Sequence, residues 1–274
     1  MPTPPYAGPE TRVSLDILRQ IIPIIPEPVV LLGGWGVRFI VNDLWREATG
    51  QDYFGSRDID LGFHTPREAS LDDLKRGNLP TALGRLEGLG FTREGMHGIV
   101  RYYRWDDDRP LTPGEARQTH THEYYTIRVD LIASHFRRDL RKIAGFQPFC
   151  EPLLAGVFEE PMQRVAIRLE GRVVLVPAPH VLLAMKFVSF PERTKDDKAL
   201  KDLCDMYAII AYSGVPPATL GSRAARMTGD FQRLAIQARE SEFFEQAAVH
   251  LGIDSRSLRN ALNAVIPRSL NALR

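Results

Sequence analysis

The chain has little cysteine, no excess of either charge, no long apolar run and no internal repeat. Two cysteines, Cys150 and Cys204, occur in 274 residues. They lie far apart beside apolar neighbours and read as reduced core thiols, which leaves neither a disulfide framework nor a cysteine-based zinc site. The formal net charge is +1. A protein that bound nucleic acid by charge alone would be more basic, so any such contact must be local. No stretch approaches the roughly 20 apolar residues that a spanning helix needs. Met1 to Pro9 is rich in proline with no apolar run, so it reads as a flexible tail and not a signal peptide, and the chain is expected in the cytoplasm. Hydrophobic residues make up 44% of the chain, enough to bury a core in one large or two modest domains.

The most informative segment that is present is Gly55-Ser56-Arg57-Asp58-Ile59-Asp60-Leu61. Side chains alternate along a strand, so Asp58 and Asp60 share a face, roughly 7 Å apart, while Ile59 and Leu61 point into the core. Two anions on one face repel, and a hard divalent cation such as Mg²⁺ relieves the repulsion through carboxylate oxygens. A solvated strand edge would tolerate the same pair. Upstream, Pro28 to Leu32 reads as a buried strand running into Gly33-Gly34-Trp35-Gly36 and then a helix from Val37. That order brings bare backbone N–H groups and a positive helix end to any docking anion. Downstream, Tyr125 to Ile132 alternates as a strand, with Ile127, Val129 and Leu131 on one face and Arg128 and Asp130 on the other. A mid-strand aspartate needs a partner, either a metal or Arg128 beside it.

Taken in order, Leu32-Gly33-Gly34, Asp58-Ile59-Asp60-Leu61 and Val129-Asp130-Leu131 resemble the signature of the polymerase-β-like nucleotidyltransferase superfamily. The resemblance implies an α+β fold, a mixed sheet with flanking helices. It implies that Asp58, Asp60 and Asp130 hold two Mg²⁺ ions around a nucleoside triphosphate, with Gly33, Gly34, Ser56 and Arg57 at its phosphates. Two ions about 4 Å apart suit an in-line displacement. Phe54 stands where many relatives carry an arginine. Gly33-Gly34-Trp35-Gly36 is also similar to the opening of aminoglycoside nucleotidyltransferases.

Val181 to Phe187, Arg193 and Lys201-Asp202-Leu203-Cys204-Asp205-Met206 resemble the helical tail of AbiEii-type and MenT-type nucleotidyltransferase toxins. That likeness implies that Lys186, Lys201 and Asp202 orient the nucleotide, that the acceptor is RNA such as a tRNA end, and that a cognate antitoxin exists. The spacing places Lys198, Lys201, Asp202 and Asp205 on one stripe of a helix from about Asp196 to Tyr212, which as a bare pattern reads as a solvated face. Two prolines at Pro177 and Pro179 mark a boundary between a catalytic domain, residues 1–176, and a helical domain, residues 177–274. Arg137, Arg138, Arg141 and Lys142 form a basic cluster. His120 and His122 would share a strand face as a surface pair. Asp106 to Pro110 reads as a hairpin turn.

Overall fold

Hydrophobic alternation builds the sheet. In the computed structural model, which describes residues 8–94, 98–193 and 195–266, Ile127, Val129 and Leu131 are fully buried on one face of a ten-residue strand, as are Ile59 and Leu61 on its neighbour. The described strands are β1 (Val30–Leu31), β2 (Ile59–Phe63), β3 (Thr92–Glu94), β4 (Gly98–Arg104), β5 (Pro110–Leu111), β6 (Tyr124–Ala133), β7 (Phe149–Cys150), β8 (Arg164–Leu169) and β9 (Arg172–Pro177). They form one mixed sheet in the order β3-β4-β6-β2-β1-β9-β8, with β5 on β4 and β7 on β6. β2 runs parallel to β6, and β1 parallel to β9; β1–β2, β4–β6 and β8–β9 are antiparallel.

Helices flank the sheet. Pro9–Ile21 starts on a proline, whose missing N–H has no partner to lose at a helix start, and buries Val13, Ile17, Leu18 and Ile21. Only Pro9 and Gly8 of the expected N-terminal tail lie within the described residues, and Pro9 is helical, because its apolar periodicity starts four residues later and recruits it. Leu71–Arg76 and Pro113–Gln118 open on reciprocal capping boxes, Ser70 with Asp73 and Thr112 with Glu115. The fold is α+β: a mixed sheet with flanking helices, followed by a run of C-terminal helices. Among the described residues no helix is long and apolar enough to cross a membrane.

The chain divides into two compact units. One holds the segment ending at Trp35 and Gly55–Pro177, and contains the whole sheet. The other holds Gly36–Phe54 and the chain from Ala178 onward. Its central element is the helix Asp196–Tyr212, in which every residue from Ala199 to Ile210 is buried. The helices Pro179–Ser189, Phe244–Leu251 and Ser255–Ala264 pack around it. A helix surrounded on all sides cannot keep one face in water, so the lysines and aspartates of its stripe must find partners inside the unit.

Candidate active site

The carboxylates are positioned by strand register. β2 and β6 pair in parallel with Ile59 opposite Val129, Asp60 opposite Asp130 and Leu61 opposite Leu131. Residues in register share a face, so Asp60 and Asp130 stand side by side on the face opposite the buried Ile59, Val129, Leu61 and Leu131. Asp58 lies one residue before β2, in a bend and not in the strand. It precedes Ile59 as Arg128 precedes Val129. Asp58 and Asp60 are half-buried, and Asp130 is buried.

Two glycines press against these carboxylates. Gly33 has φ +59°, and a Cβ there would lie 1.8 Å from Asp60 Oδ2. It sits at the start of the helix Gly33–Thr49, next to Leu32, whose N–H donates to the Asp60 carbonyl at 2.9 Å. Gly98 pairs with Asp130 across β4 and β6, and a Cβ there would lie 2.3 Å from Asp130 Oδ1. Bare backbone therefore lies on both sides of the Asp60–Asp130 pair. Arg128 Nε is 3.0 Å from Asp130 Oδ1, so the ion pair that the strand pattern allowed is formed.

Ser56 is buried and Arg57 half-buried, with Arg57 3.9 Å from Glu10. Trp35 lies under this loop. Its indole N–H donates to Ser14 Oγ at 3.0 Å, and a Cβ on Gly55 would fall 2.3 Å from its ring, so Gly55 is the residue that lets the chain pass over the indole. The three carboxylates offer oxygen donors, which suit a hard divalent ion, and glycine keeps open the space beside Asp60 and Asp130. Among the described residues, however, no group of three or more His, Cys, Asp or Glu side chains is drawn together as a formed metal cage.

Lys186, Lys201 and Asp202 lie together in the helical unit, at 7%, 5% and 2% exposure. Lys186 Nζ reaches Asp202 Oδ1 at 2.5 Å and Asp205 Oδ2 at 2.7 Å; Arg193 Nε reaches Asp202 Oδ2 at 2.6 Å. Lys201 pairs with Asp205 one turn along its own helix. Tyr53 closes the network by donating its hydroxyl to Asp205 Oδ1 at 2.7 Å. Its own position is set by the helix Gly33–Thr49: Asn42 Oδ1 accepts the Tyr53 N–H at 2.7 Å, Arg38 donates to the Tyr53 carbonyl, and Trp45 packs edge-on at 5.0 Å. Phe54 stacks on Tyr53 and lies 5.1 Å from the Lys201 ammonium.

Electrostatics in this network follow burial first. Burial acts to discharge Lys186, but the Asp202 and Asp205 carboxylates override it and hold its ammonium above the ordinary lysine value. Burial wins at Lys201, which lies below that value despite Asp205. Burial also opposes ionisation of Asp205, and the two lysines reverse it, so its carboxyl lies below the usual range. The Tyr53 hydroxyl is pushed well up by burial and by Asp205, and the Cys204 thiol is pushed up to about 12 by burial.

Other sequence features have simpler placements. His120 and His122 stack at 5.6 Å in the exposed turn before β6 and not on a strand. Asp106 and Asp107 occupy the turn between β4 and β5. Arg137 is half-buried, its guanidinium bonded to the carbonyls of Pro66, Arg67 and Ala69 at 2.7–3.0 Å, whereas Arg138, Arg141 and Lys142 are exposed. Tyr53 and Gly98 escape the sequence reading. Gly98 opens β4, where a glycine marks no strand-interior approach, and nothing in the pattern marks Tyr53.

No family model and no curated protein sequence matches the chain. Among solved structures it is similar to an antigenic nucleotidyltransferase-like protein from Paracoccidioides brasiliensis, with 17% identity, 95% of this chain and 94% of that chain covered, and a TM-score of 0.44, a likeness too slight to carry an argument.

Proposed function

We propose that the protein is a Mg²⁺-dependent nucleotidyltransferase that moves a nucleoside monophosphate from a triphosphate to an acceptor hydroxyl. The observation that carries this reading is the Asp60–Asp130 register, which sets two carboxylates side by side with a glycine against each. Asp58, Asp60 and Asp130 would hold two ions. Bound Mg²⁺ would supply charge neutralisation for the triphosphate and its departing pyrophosphate. The backbone N–H groups of Gly33 and Gly34, at the start of a 17-residue helix, would receive phosphate, with Ser56 and Arg57 on the loop before Asp58. Asp130 would take the proton of the attacking hydroxyl. On the resemblance alone, Lys186, Lys201 and Asp202 are proposed as nucleotide-orienting residues; within the helical unit they are buried and ion-paired, Lys186 with Asp202 and Lys201 with Asp205.

The acceptor in this reading is RNA, such as a tRNA end, and a cognate antitoxin would restrain the activity. Support comes from Arg138, Arg141 and Lys142, exposed just beyond the C-terminal end of β6. Incubation with each α-labelled triphosphate, Mg²⁺ and total RNA is expected to place label in RNA. The double reversal Arg138→Glu and Arg141→Glu is expected to lower that transfer about tenfold and to flatten its salt dependence, with triphosphate binding retained. Label in an aminoglycoside and none in RNA would replace the acceptor. Triphosphate binding with no transfer to any acceptor would identify a silent nucleotide-binding protein.

A further inference from the structure

Arg128 stands inside the carboxylate patch. It shares a face of β6 with Asp130, which stands in register with Asp60 of β2, so one guanidinium and two carboxylates lie on one face of neighbouring strands. Its Nε lies 3.0 Å from Asp130 Oδ1, with Asp130 only 10% exposed and Arg128 36% exposed. A Cβ on Gly98 would meet both groups, at 2.3 Å from Asp130 Oδ1 and 2.9 Å from Arg128 Nε, so the glycine makes room for the pair.

We propose that Arg128 is the built-in counter-ion of this patch, holding the cation position beside Asp130, so that the Arg128–Asp130 pair and a divalent ion on Asp130 exclude one another. The inference rests on the reading of the patch as a divalent-cation site. Without a metal, the guanidinium offsets the mutual repulsion of Asp60 and Asp130. For an ion to bind Asp130, the guanidinium must leave. With about a third of its side chain exposed, it can turn into solvent with the backbone unchanged. Its removal therefore has two effects of opposite sign: the metal-free protein loses stability, and the carboxylates gain affinity for a divalent ion. A purely structural ion pair would give only the first.

The probe is Mn²⁺, whose free-ion paramagnetic resonance signal reports binding without any turnover. Arg128→Gln is expected to bind Mn²⁺ about tenfold more tightly than wild type, the effect of removing one close positive charge from a partly solvated site. Its melting temperature without metal is expected to fall. Arg128→Lys keeps a charge but loses the planar fork and is expected to lie between, and it serves as the test if the glutamine variant does not fold. Asp130→Asn is expected to bind Mn²⁺ weakly and, combined with Arg128→Gln, to show no gain. Unchanged or weaker Mn²⁺ binding in the Arg128 variants, with Asp130→Asn still impaired, overturns the counter-ion inference alone. Mn²⁺ binding at wild-type strength in both Asp60→Asn and Asp130→Asn overturns the divalent-cation site itself.

Discussion

Asp205→Asn is expected to lower the stability of the helical unit by roughly 3–5 kcal/mol, the range for stripping one partner from a buried ionic group. Asp205 is fully buried, faces Lys186 at 2.7 Å, pairs with Lys201 and accepts the Tyr53 hydroxyl at 2.7 Å. The amide keeps the volume but leaves two buried ammonium groups with Asp202 as the remaining carboxylate. The loss has a pH signature. The Asp205 pKa is lowered on folding, so its contribution is full above the unfolded carboxyl value of 3.8 and disappears as pH falls through the lower folded value. Lys186 is raised, so its contribution is full below 10.5 and disappears as pH climbs through the raised value. Lys201, lowered by burial, opposes folding below 10.5 and offsets part of this gain. Urea unfolding of wild type and variant at neutral pH is expected to show the full difference, which narrows in acid below the Asp205 folded value. Equal midpoints at neutral pH would show that the network is not what holds these helices together.

Gly33→Ala is expected to remove triphosphate binding and transfer almost completely while costing about 1–3 kcal/mol of stability. Two effects add. The backbone at Gly33 is left-handed, with φ +59°, and the new methyl would sit 1.8 Å from Asp60 Oδ2, so the carboxylate must leave its place beside Asp130. Gly50→Ala separates the two. Gly50 has φ +74° with no atom within 4 Å of a new Cβ, so it incurs the backbone strain without the collision and is expected to keep activity. Circular dichroism and melting, read beside triphosphate affinity, check both variants. Similar activity in the two would mean that the Gly33 contact does not set the position of Asp60.

How much was legible varied with the physics that set each element. The strand through Tyr125 to Ile132 and the helix from Asp196 to Tyr212 were readable because periodic burial fixes both, and the observed elements are Tyr124–Ala133 and Asp196–Tyr212. The strand read over Pro28 to Leu32 pairs only at Val30–Leu31, since Gly33 turns the chain at once into a helix that begins there and not at Val37. The stripe of Lys201, Asp202 and Asp205 carries the pattern of a solvated face but is buried. A stripe of charge looks the same in sequence whether its partners are water or the side chains of Lys186, Arg193 and Tyr53, which lie on other segments. For the same reason Asp58, Asp60 and Asp130 could be named from local spacing, whereas the pairing of Asp60 with Asp130, the glycines against them and the Arg128 contact depend on register across three strands.

The central claim, that the sheet carboxylates support nucleotidyl transfer, is tested most directly by Asp60→Asn. Wild-type protein given α-labelled triphosphate and Mg²⁺ is expected to label its acceptor, and none of the label should transfer from the γ position. Asp60→Asn, with its near-constant volume, is expected to keep the wild-type circular dichroism spectrum and to lose transfer by more than about a thousandfold. Transfer at the wild-type rate from a folded Asp60→Asn protein would contradict the assignment.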